Sequence, residues 1–114
     1  MIRQEDVKII LQEEEVLKYN RKDYIKFHEE LSSKDREITI LFQDKPIFDV
    51  LVPQGVFNPY GGIAAQAFMS GILNQIINAK GKKVLDLGCG SGVLGLCCLF
   101  KDSNKVVFSD LHPN

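Results

Sequence analysis

The sequence predicts an α/β fold, in which N-terminal helices and a β-hairpin precede the first β-α-β unit of a parallel sheet. Three observations carry that reading. Val84-Leu85-Asp86-Leu87-Gly88 and Lys105-Val106-Val107-Phe108-Ser109-Asp110 are short β-rich runs flanking an apolar helical stretch from Ser91 to Phe100, the layout of two parallel strands joined by a crossover helix. Upstream, Ile63 to Asn78 repeats apolar residues at three- and four-residue spacing, which spells a helix. Further upstream, Ile38–Phe42 and Ile47–Val52 are separated only by Gln43-Asp44-Lys45-Pro46, a short antiparallel hairpin.

The remaining elements follow in chain order. From Glu5 to Lys18, Val7, Ile10, Leu11 and Leu17 fall mostly on one helical face, with Glu13-Glu14-Glu15 on the solvated remainder, so an amphipathic helix is expected there. Asp23 suits the cap of a second helix, whose Tyr24, Phe27, His28 and Leu31 follow the i, i+3, i+4, i+7 rule. His28 has no partner residue at motif spacing and reads as a packed or rim histidine, not as a proton carrier. Pro53-Gln54-Gly55 and Asn58-Pro59-Tyr60-Gly61-Gly62 punctuate the chain heavily. The division expected is a helical plus hairpin subdomain over 1–54 and a second domain beginning within 55–114. Gly81 and the lysines around it suit the C-terminal end of the long helix.

Composition narrows the class. Fourteen Lys and Arg against fifteen Asp and Glu leave a net charge of -1, so no summed field draws the chain to nucleic acid or to an anionic membrane. The longest apolar run, Val93 to Phe100, is far short of the roughly 20 residues that span a bilayer. The acidic start, Glu5-Asp6, is unlike a signal peptide. Cys89, Cys97 and Cys98 form no CxxC pair and have no nearby His at ligand spacing. No metal site is expected. Cys97 and Cys98 read as small apolar packing residues, and the whole suits a reduced, cytoplasmic setting.

The chemistry lies in Asp86-Leu87-Gly88-Cys89-Gly90-Ser91-Gly92, where the first strand of the β-α-β unit turns into its helix. Alternating glycines permit a tight turn and a close approach of ligand to backbone, and the helix start adds unpaired N–H groups. Asp110 ends the second strand, where an acid can accept hydrogen bonds from a ribose. A nucleoside-containing cofactor is implied. Gly90-Ser91-Gly92-Val93-Leu94-Gly95 is also a formal G-x-G-x-x-G, the dinucleotide fingerprint. In a dinucleotide site, however, the first glycine normally closes the strand directly, whereas here Asp86 and Gly88 come before it.

The string from Val84 to Gly92 resembles motif I of the class I S-adenosyl-methionine-dependent methyltransferases, nearly residue for residue. Val106 to Asp110 looks like that family's second strand with its terminal acid. Gly55-Val56-Phe57-Asn58-Pro59 resembles, more loosely, the lead-in of the small-domain methyltransferases that act on protein glutamine or nucleic-acid bases. The resemblance implies a Rossmann-like methyltransferase sheet and S-adenosyl-L-methionine as cofactor. It implies that Asp86 and the backbone of Gly88, Cys89 and Gly90 surround the methionyl part, that Gly92 allows close packing at the helix start, that Asp110 binds the ribose hydroxyls, and that Phe57 lines the pocket. It assigns no catalytic residue, because in the family these lie after the fourth strand. Asn58-Pro59-Tyr60 precedes motif I and lacks the second proline of the family's Asn-Pro-Pro-aromatic loop, so that role is not carried to it. His112 before Pro113 reads as a loop residue.

The resemblance covers only the first two of about seven strands. The expectation is therefore the N-terminal portion of a longer, truncated methyltransferase, inactive alone, with an unidentified methyl acceptor. Its sheet would have a bare edge able to self-associate. Two alternatives stand beside it: a non-catalytic binding or dimerisation module, and a fragment of an NAD(P)-dependent oxidoreductase.

Overall fold

The computed structural model describes residues 6–12, 23–60 and 62–111. Strand β1 (Val7–Leu11), helix α1 (Tyr24–Leu31), strands β2 (Arg36–Phe42) and β3 (Lys45–Val52), helix α2 (Ile63–Leu73), strand β4 (Lys83–Leu87), helix α3 (Val93–Phe100) and strand β5 (Lys105–Ser109) follow in that order. The chain is mixed α/β, with an antiparallel sheet ordered β1-β2-β3 and a parallel pair β4-β5. Among the described residues no helix is long and apolar enough to cross a membrane.

The first correction concerns β1. Part of the helix expected over Glu5–Lys18 is a strand, with Val7 paired to Phe42, Ile9 to Ile40 and Leu11 to Ile38. The remainder of that expected helix, from Glu13 on, lies outside the described residues. Val7, Ile9 and Leu11 alternate with Lys8 and Ile10, so the segment satisfies the period of two as well as the helical one. The inward side of β2 decides between them, because pairing buries Val7 completely beside Ile38 and Ile40. On the outward side, Thr39 donates to Asp49 at 2.7 Å and Gln12 donates to the same carboxylate at 3.1 Å, a polar set that only this register assembles.

The hairpin forms as expected, its turn made by Gln43 and Asp44, both with positive φ (51° and 64°). That geometry matches the twist of the strands it joins. Lys45 and Pro46 lie within β3, opposite Phe42 and Leu41. The ladder shifts register between Ile40 and Leu41, and β3 is an edge strand, where a proline's missing N–H is tolerated.

Helix α2 stops at Leu73, five residues before the expected end at Asn78. Gln75 turns left-handed at φ 61°, and the Gln75 and Ile76 N–H groups donate back to Ile72 and Gly71 at 3.0 Å each. Those two bonds are the Schellman pattern, which satisfies the helix's last carbonyls. Gly81 thus does not cap α2; it sits at φ 71° in the turn before β4, donating to the Asp102 carbonyl at 2.8 Å.

One core joins both sheets. Ile38, Ile40, Val50 and Val52 from the antiparallel sheet share it with Met69, Ile72 and Leu73 of α2 and with Val93, Cys97 and Cys98 of α3. Gln66 on α2 donates its side-chain amide to the Val7 carbonyl, tying α2 to β1. In the parallel pair, Lys83, Leu85 and Leu87 oppose Lys105, Val107 and Ser109 in register. This face is open: Leu85 is 61% exposed and Leu87 77%.

Candidate functional site

The glycine turn lies between β4 and α3. Gly88, Gly90 and Gly92 all have positive φ (66°, 56° and 84°), a region that an L side chain enters only with strain. Their alternation is thus a backbone requirement. Two carboxylates tie the turn and the helix start that follows it. Asp110, just beyond β5, accepts the Gly90 N–H at 2.5 Å. Cys89 donates its N–H to the Ser109 carbonyl at 2.9 Å, so the Asp110 side chain takes the next place after the backbone ladder ends. Asp86, inside β4, accepts the Gly95 N–H at 3.0 Å, and Gly95 is the third residue of α3, where a helix leaves an orphan donor.

Close packing at the helix start involves Gly92 and, more severely, Gly95, which the sequence reading did not name for it. A Cβ on Gly95 would meet the Phe108 ring at 2.4 Å and Val106 at 2.9 Å, against 3.3 Å from Gly92 to Phe108. The signal was present in the last glycine of the Gly90–Gly95 hexapeptide, one helical turn into α3.

Two cavities meet at Gly88. One, of about 170 Å³, lies between the turn and the lead-in to α2, with Phe57, Pro59, Cys89, Gly90, Ser91 and Leu94 in its wall. The other, of about 340 Å³, is lined by Leu87, Gly88, Ser109, Asp110 and Leu111. The structure thus brings together Gly88, Cys89, Gly90, Asp110 and Phe57. Asp86 lines a different groove, of about 480 Å³, beside β4. Pro59, Ser91 and Leu94 were not singled out from the sequence. His112 lies outside the described residues.

Burial first, then the Asp86 and Asp110 carboxylates, raise the Cys89 thiol above its ordinary value. Cys97 is pushed up to about 12, by burial and then by Cys98; Cys98 is raised by burial and by Asp86. All three thiols are held protonated at neutral pH. Asn58 is a turn-former: its Oδ1 accepts the Tyr60 N–H at 2.9 Å, while its Nδ2 is buried without a partner among the described residues.

A β-strand, a glycine turn, a helix and a neighbouring parallel strand with an acid just past its end make a β-α-β unit of the α/β class. The methyltransferase small domain matches residues 49–114, and the chain belongs to that family, within the class I S-adenosyl-methionine-dependent methyltransferases. It is 33% identical over 42 residues to a provisionally assigned protein N5-glutamine methyltransferase of Methanocaldococcus jannaschii, an alignment covering 37% of this chain and 21% of that protein. It is 40% identical over 67 residues to a histidine protein methyltransferase 1 homolog of Bos taurus, covering 47% and 18%. The chain thus spans about a fifth of the length of these relatives. No solved structure matches.

Proposed function

We propose that this chain binds S-adenosyl-L-methionine at the glycine turn and forms the cofactor-holding part of a methyltransferase. The observation that carries the reading is the turn itself: three left-handed glycines, anchored by Asp110, with a cavity on each side of Gly88. The fit is that of a two-part ligand. The methionyl end lies by Cys89 and Gly90, against Phe57 and Pro59, and the ribose lies by Asp110. No Cβ projects from Gly88 or Gly90 to obstruct it, and a Cβ on Gly88 would meet nothing within 4 Å. Asp86 serves by fixing the start of α3 to β4, which keeps the turn in shape.

The cofactor, when bound, supplies a methyl group activated on a sulfonium; this chain's residues bind and orient it, and alignment provides most of the rate gain in such a transfer. The protonated Cys89 thiol suits that setting, since a thiolate would be a competing nucleophile. The names of the two relatives make a nitrogen of a protein side chain the acceptor class to test first.

Calorimetric titration of the chain with S-adenosyl-homocysteine and, separately, with NAD tests the reading. Binding of the homocysteine compound alone is expected. Binding of NAD alone, or of neither, overturns it.

A further inference from the structure

We infer that His28 is a positioning residue for this pocket, holding the Phe57 ring in place as its wall. The inference rests on the cofactor reading above. Phe57 faces the glycine turn across the smaller cavity, yet it is 55% exposed, so the core alone does not fix its ring. Its near-parallel neighbour is the His28 imidazole, at 5.5 Å between centroids and 21° between planes. His28 is itself boxed edge-on, by Tyr24 at 4.3 Å and Phe27 at 5.3 Å, and the Phe27 ring lies 6.3 Å from Tyr60. These separations fall in or close to the range in which aromatic pairs attract in stacked or edge-to-face form.

The ring packing orients the imidazole, and its Nε2 is buried without a hydrogen-bond partner among the described residues. The helix beneath it is anchored as well. Arg36, itself buried, donates from Nε to the Leu31 backbone carbonyl at 2.7 Å and from a terminal nitrogen to the Glu30 backbone carbonyl at 2.9 Å. Those bonds hold the last turn of α1 to the start of β2. A continuous path of contacts therefore runs from β2 through α1 and His28 to the wall of the pocket. It gives the N-terminal elements a task at the site, and the task uses the face of the ring, not its proton.

A double-mutant cycle read by titration with S-adenosyl-homocysteine tests this, using the whole chain. His28→Ala is expected to weaken binding by about three- to tenfold, the scale of one aromatic pair. His28→Phe, which keeps a stacking ring, restores native affinity, and Phe57→Ala weakens binding to a similar extent. In the Phe57→Ala background, His28→Ala causes no further loss. Native affinity in His28→Ala, an equal loss in both backgrounds, or failure of a folded His28→Phe to restore binding overturns the role of His28 while leaving the cofactor reading intact. Absence of binding by the native chain overturns the cofactor reading, and the role of His28 with it.

Discussion

The Asp86 carboxylate accepts the Gly95 backbone N–H at 3.0 Å, so a strand residue caps the helix that follows it across the glycine turn. Removing that acceptor leaves the helix start with an orphan donor. Asp86→Ala is expected to destabilise the fold by about 0.5–2 kcal/mol, the range for a lost N-terminal cap, and Asp86→Asn by less. Urea unfolding of the three proteins provides the check.

Gly95→Ala places a methyl group 2.4 Å from the Phe108 ring and 2.9 Å from Val106. One side chain must shift, and the expected cost is about 1–3 kcal/mol. Phe108→Leu in the same background recovers part of it. Thermal unfolding of single and double variants separates this crowding from a helix-wide effect.

Asp110 anchors Gly90 and, under the proposed function, binds the ribose. Asp110→Ala is expected to weaken S-adenosyl-homocysteine binding by about 1–3 kcal/mol, the scale of a charge-assisted hydrogen bond. Unchanged affinity in a titration removes Asp110 from the site.

The pH dependence of stability follows from Cys97. Its thiol ordinarily loses its proton near 9.0, and in the fold does so only at about 12. A raised value contributes stability that is fully present below pH 9.0 and is lost as pH rises through about 12, at up to about 1.4 kcal/mol per pH unit in between. Urea midpoints at pH 8 and 10.5 should fall less in Cys97→Ala than in the native protein.

The glycine turn and its flanking strands were legible because the signals there are local. Left-handed positions demand glycine, and each strand of the parallel unit is a short apolar run beside a turn. Strand β1 was not legible, since Val7, Ile9 and Leu11 also fit a helix and only pairing with β2, some thirty positions away, decides the matter. The early end of α2 was hidden for another reason: Gln75 holds a left-handed turn in which glycine is the usual residue. At the site, Asp110 could be placed by its position after a strand. The stack of His28 on Phe57 joins a helix residue to a loop residue that nothing in the sequence pairs.

Lys83 and Lys105 are register partners at the start of the parallel pair, two like charges side by side on the strands that carry the glycine turn at their other end. Directly opposed like charges weaken a strand pair, and both lysines are exposed, so dissolved ions reach them. Their repulsion is damped over the Debye length, about 10 Å at 0.1 M salt and about 30 Å at 0.01 M. The strand pair therefore carries an ionic-strength dependence of its own: dilute buffer loosens its lysine end, and added salt tightens the platform on which the turn is built.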